Sequence, residues 1–171
     1  EIADKNIEEL AEIMIKEITV GIGDTGIKAG NIGEIAVSGL PHEPFQPGEE
    51  KVLRAASRAQ KATGVSLTVH PNFPQDHWDT YINIMEKEGA DLGKCYMSHL
   101  GLYPTVEVPK RILKQGIGFV MYDQFGHEEL FEGVAGPGHG FSTDKEEVQV
   151  VMELLEAGYA SRVMLCNEVA M

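Results

Sequence analysis

Five alternations of a helix-spaced apolar pattern with a short β-prone run predict an α/β fold of parallel β-α units, best matched by a partial (β/α)8 TIM barrel. Three observations lead there. The strand-like runs are apolar on both faces, as in a sheet covered on both sides. Glycines stand where a left-handed residue would close most of the helical stretches, each just ahead of a strand-like run. No G-x-G-x-x-G turn follows any strand, which disfavours a dinucleotide-binding doubly wound sheet. Five units cannot close an eight-stranded barrel, so residues 1–171 are expected to form part of a single domain, covering about strands four to eight. The chain opens at Glu1 without an initiator Met and stops at Met171 directly after a strand-like run, so it reads as a piece of something longer. Alone, such a piece would leave unpaired strand edges and is expected to be poorly stable and inactive.

The elements follow in order. Ile7, Leu10, Ala11, Met14 and Ile18 share one helical face. "NIGEIAV" reads as a small buried strand that carries one charge, Glu34. Val52, Leu53 and Ala56 mark a second helix closed by Gly64, and "VSLTVH" a strand ending at His70. Trp78, Tyr81, Ile82 and Met85 mark the third helix, closed by Gly89 and followed by "KCYMSH" to His99. A weaker helix around Ile112 and Leu113 is expected to start after Pro109, with Gly116 leading into "IGFVMYD" to Asp123. Val148, Val151, Met152 and Leu155 form the last helical face, and beyond Gly158 "RVMLCNE" runs to Glu168. The Gly-rich stretch from Gln124 to Thr143 is the longest without periodicity, placed either as a substrate-covering loop or as an insertion. Its His127 and His139 receive no role.

With 43% hydrophobic residues the chain is globular in character, and no apolar run approaches the roughly 20 residues of a membrane span. No signal-peptide pattern opens it, so a cytoplasmic location is expected. A net charge of -13 without any basic run disfavours nucleic acid or an anionic membrane as partner. A small-molecule substrate is the expected partner, and a homodimer is compatible with the sequence. Cys95 and Cys166 read as small buried thiols rather than a disulfide or a metal pair.

Polar ionisable residues appear at Glu34, inside its strand-like run, and at His70, His99, Asp123 and Glu168, at or near the carboxyl ends of theirs. Each alone has an ordinary explanation: a turn histidine, a hydrogen-bonded core histidine, a solvated strand end. Together they suggest one cause, because an unpaired buried carboxylate costs several kcal/mol unless a cation compensates it. Histidine with carboxylate suits zinc or another divalent transition metal. With two oxygens, Glu34 could bridge two metals about 3.5–4 Å apart. No G-x-S-x-G elbow or Walker A loop offers a serine or nucleotide mechanism instead.

The stretches "GIGDTGIKAGNIGEIAVSG", "EEKVLRAASRAQKATGVSLTVHP" and "EKEGADLGKCYMSHL" resemble the phosphotriesterase-related proteins of the amidohydrolase superfamily. The resemblance implies a (β/α)8 barrel with a binuclear centre, usually zinc, two metals per full-length subunit. It places Glu34 at the bridging position of strand four, and His70 and His99 as ligands of the more exposed metal on strands five and six. It makes Asp123 a residue that orients a ligand or passes on a proton. Where the family ends strand eight with a metal-binding aspartate that acts as base, this sequence has Glu168. The strand-one His-x-His pair of the family has no counterpart here. The implied reaction is attack by a metal-bridging hydroxide on an amide, lactone or ester. "HP", "MSHLG" and "YDQFG" are closest to the mammalian-type branch and favour an N-acyl amide. The alternative is a barrel that has lost catalysis and serves as a binding or scaffold protein, with Glu168 as the first sign of decay.

Overall fold

The computed structural model describes residues 2–37, 46–71, 78–126 and 142–167. The elements run α1 (Ile7–Thr19), β1 (Asn31–Ala36), α2 (Pro47–Thr63), β2 (Ser66–His70), α3 (Trp78–Glu88), β3 (Cys95–Met97), α4 (Glu107–Lys114), β4 (Phe119–Tyr122), α5 (Asp144–Glu156) and β5 (Val163–Leu165). The strands follow chain order in one five-stranded sheet, and β1 with β2 and β4 with β5 pair in parallel. Parallel pairs need a crossover between them, and a helix supplies it each time. Gly64 closes α2 as expected, with a left-handed φ of 70°, and the structure adds capping boxes formed by Asn6 and Glu9 on α1 and by Thr143 and Glu146 on α5.

Two compact units are distinguishable, Glu1–Tyr96 and Met97–Met171. In the first, Leu53, Ala55, Ala56 and Ala59 of α2 are fully buried, as are Leu67 and Val69 of β2 and Tyr81 and Met85 of α3. Leu10 and Ala11 of α1 pack on Ala55, flanked by Ile7 and Val52. A charged seam joins the helices outside this core. Glu88 of α3 accepts from Arg54 Nη1 at 2.6 Å and from Arg58 Nε at 2.7 Å, while Arg54 also reaches Glu50 and Arg58 reaches Glu8. The hydrogen bond from Arg58, and then that from Arg54, holds the Glu88 carboxyl below the usual carboxylate range.

In the second unit Leu100, Ile112, Leu113, Ile117, Val120, Tyr122 and Leu154 form the buried core. The Arg162 guanidinium donates to the carbonyls of Gly118 at 2.9 Å, Leu113 at 3.2 Å and Ile117, fastening the entry of β5 to the connection between α4 and β4.

Four expectations need correction. On α5 the buried side is Glu147, Val150, Val151 and Leu154, whereas Val148, Met152 and Leu155 of the expected apolar face are exposed. Helix α4 starts at Glu107, not after Pro109. A proline is tolerated in a first turn because the N–H groups there have no partner within the helix. Strand β5 is not covered on both faces: Met164 and Leu165 are 37% and 59% exposed, and β5 has only β4 beside it. Cys166, just beyond that strand, is likewise exposed, while Cys95 is buried and its thiol is pushed up to about 12 by burial. Among the described residues no helix is long and apolar enough to cross a membrane.

Because its folded pKa is depressed, Glu88 contributes stability above the unfolded carboxylate value of about 4.3, and that contribution is lost as pH falls through the folded value. Glu88→Gln is therefore expected to melt at a lower temperature than the wild type at pH 7. Between pH 7 and pH 3 it should lose less. Thermal unfolding across that range measures both effects.

Candidate metal centre

The first unit brings Glu34 and His70 together. Asn31 and Ser66 open the β1-β2 pair with side-chain hydrogen bonds, Asn31 Nδ2 to Thr68 Oγ1 at 2.9 Å and Ser66 Oγ to Asn31 Oδ1 at 2.6 Å. Register then slips: Ile32 pairs with Leu67 but Ile35 pairs with Val69, so Gly33 and Glu34 together face the single residue Thr68. This is a β-bulge, which re-aims a side chain that strict alternation would place elsewhere. Only glycine fits the first bulge position, because φ is +123° and a Cβ at Gly33 would lie 2.6 Å from the Thr68 carbonyl oxygen. Ile32 and Ile35 stay buried while Glu34 turns outward, its side chain 33% exposed. Glu34 is thus not a charge buried in an apolar strand. A glycine inside a strand pattern is the sequence signal for such a bulge.

Beyond the bulge Ala36 pairs with His70, the last residue of β2. His70 Nδ1 lies 3.2 Å from Glu34 Oε2. The pair remains open to solvent.

The second unit holds His99, Asp123 and Gln124. His99 stands two residues past β3 in the left-handed conformation, φ 56° and ψ 33°, and starts a 3-10 turn over Leu100–Leu102. Asp123 stands one residue past β4. Its carboxylate accepts the His99 backbone N–H at 3.1 and 3.3 Å and lies 3.0 Å from ring Nδ1. The His99 and Asp123 side chains are only 6% and 3% exposed. The Gln124 amide nitrogen is 3.3 Å from Asp123 Oδ1 and 2.8 Å from His99 Nδ1. Nδ1 accepts from Gln124 when it carries no proton, and when protonated it donates to Asp123 and leaves Nε2 unprotonated. That tautomer is the one a metal-ligating histidine carries, its other nitrogen donating to a carboxylate. The donor set fits a divalent metal of the zinc type.

Glu168 lies outside the described residues, as do His127, His139 and most of the 124–143 stretch. Gln124 received no role in the sequence reading, although it directly follows Asp123 in "YDQFG". Glu147 was missed altogether, because the first turn of a helix is an ordinary place for an acid. It is 1% exposed, and among the described residues neither carboxyl oxygen has a hydrogen-bond partner.

Parallel strands alternating with helices, with ionisable side chains at strand carboxyl ends, define part of a (β/α)8 barrel with a candidate histidine-carboxylate centre. Comparison with known proteins agrees. The phosphotriesterase family profile matches residues 2–171, and the chain belongs to that family. It is 32% identical over 171 residues to a phosphotriesterase-related protein of Nematostella vectensis, covering 99% of this chain and 47% of that one. It is 31% identical over 167 residues to the N-acetyltaurine hydrolase of Bos taurus, covering 96% of this chain and 46% of that one. The chain thus spans about half the length of these relatives. Among solved structures, the phosphotriesterase homology protein of Escherichia coli, complexed with phosphate in its active site, superposes with a TM-score of 0.78 at 27% identity. That match covers 96% of this chain and 51% of the other. A mutant PTE-like lactonase of Deinococcus radiodurans gives a TM-score of 0.77 at 28% identity, covering 94% and 45%.

The bulge makes a direct prediction. Gly33→Ala must either move Thr68 or abandon the backbone conformation ahead of Glu34, and is expected to cost about 1–3 kcal/mol in urea unfolding. Wild-type stability in this variant would show that the bulge does not need its glycine.

Proposed function

We propose that the protein containing this chain is a metal-dependent hydrolase of small molecules, with Glu34, His70 and His99 among the ligands of a divalent metal. The observation that carries this reading is the pairing of donors in the first unit, with His70 Nδ1 3.2 Å from Glu34 Oε2. A half-exposed glutamate beside a histidine is by itself an ordinary sight on a surface. What favours the metal is that His99 is buried and has its Nδ1 side against Asp123.

Zinc is the metal of choice for imidazole with carboxylate, two ions per full-length subunit is our reading, and bound zinc would supply Lewis acidity and water activation near neutral pH. Glu34, with two carboxylate oxygens, would be the residue to hold both ions. Asp123 would hold the His99 ring through Nδ1, and Gln124 lies against both groups. Glu168 is assigned as a ligand and as the base that accepts a proton from the attacking water.

For the substrate, an N-acyl amide is favoured over a lactone, and both over a phosphotriester. Support comes from the relatives named N-acetyltaurine hydrolase, with the PTE-like lactonase structures supporting the second place. A (β/α)8 barrel hosts many substrates through its loops, so the fold alone does not choose among them.

In the full-length protein, a chelator is expected to abolish hydrolysis of N-acyl amides and added zinc to restore it. Glu34→Ala should lower the metal content per subunit, read by atomic absorption. Hydrolysis indifferent to chelation, or unchanged metal content in that variant, would sink the reading. Asp123→Asn is expected to weaken metal affinity about 10–100-fold while leaving the fold intact. Competition with a chromogenic chelator, alongside circular dichroism, tests that separately.

A further inference from the structure

We propose that Glu147 is a positioning residue for His99, holding the turn on which that histidine stands. This rests on the metal-centre reading for its functional meaning, and on the second unit's own geometry for its argument.

A histidine in the left-handed conformation is unfavourable without outside support. Asp123 secures the His99 N–H and ring, and Leu102 N–H closes on the His99 carbonyl at 3.2 Å. The remaining freedom lies in the turn itself, at Gly101. Helix α5 and the residue that precedes its cap grip that glycine twice. Ser142 N–H donates to the Gly101 carbonyl at 3.1 Å. The Glu147 carboxyl occupies the space where a side chain at Gly101 would be: a Cβ there would lie 2.5 Å from Glu147 Cδ, 2.9 Å from Oε2 and closer still to Oε1.

A buried carboxyl with both oxygens unpartnered is costly, and such a group in a folded protein calls for an explanation. Burial first, then the charges of Asp144 and Asp123, push Glu147 up to about 7, so at neutral pH it is substantially protonated and the cost is reduced. Its flat carboxyl fits against a bare Cα as a branched aliphatic chain would not. The residue therefore acts as a wedge between α5 and the turn after His99.

The test uses full-length, metal-free protein labelled with 15N-histidine. In Glu147→Ala the His99 Nδ1 signal should move, and zinc affinity should fall about tenfold or more, as for loss of other groups that orient a ligand. Glu147→Gln, with the same shape and no charge, should restore most of both. Leu154→Ala, in the buried face of the same helix, should lower the melting temperature without moving the His99 signal. If Glu147→Ala does not fold, Glu147→Asp withdraws the carboxyl from Gly101 by one methylene and should produce the same shift. A His99 signal unmoved in the folded variant, or moved as far by Leu154→Ala, overturns the proposal. Wild-type protein that takes up no zinc, yet shows the His99 shift in Glu147→Ala, would defeat the metal-centre reading and leave the positioning role standing.

Discussion

Parallel strand pairing is the constraint on which the rest of this structure depends. Parallel neighbours cannot be joined by a hairpin, so the chain must return across the sheet through a helix before each new strand begins. Every strand therefore finishes on the same side as its partner. Ala36 and His70 stand side by side at the ends of β1 and β2, and Tyr122 and Leu165 at the ends of β4 and β5. Residues just past those ends, such as His99 and Asp123, leave the ladder's hydrogen bonding and are free to take unusual backbone and polar partners.

The polar interactions divide by how completely they are satisfied. Glu88 receives two guanidinium groups at the helix seam and is stabilised as a charge. Glu147 receives none among the described residues and is pushed toward its neutral form. The same side chain thus serves as an electrostatic clasp in one unit and as a packing element in the other. Burial and the presence of donors decide between these roles, and neither is visible from residue type.

Much of the scaffold was legible in the sequence. Apolar spacing from Ile7 to Ile18 and from Val148 to Leu155 located two helices that the structure places at Ile7–Thr19 and Asp144–Glu156. Glycine at position 64 marked the end of α2 correctly, and His70 and Asp123 were rightly set at or beside strand ends. The register slip at Gly33 was not legible, although the glycine was in plain view, because a bulge depends on which residue of the partner strand it faces. The outward turn of Glu34 follows from that slip, so its burial was misjudged for the same reason.

The sequence by itself determined the order of β-α units, the glycines that close the helices and the set of ionisable residues near strand ends, because these follow from local periodicity, backbone preference and residue chemistry. Only the tertiary structure decided how those residues are held. It set Asp123 against His99 across 24 positions of chain and seated Glu147 against Gly101. Contacts between residues distant in sequence depend on how elements pack, and packing is a property of the whole arrangement rather than of any segment.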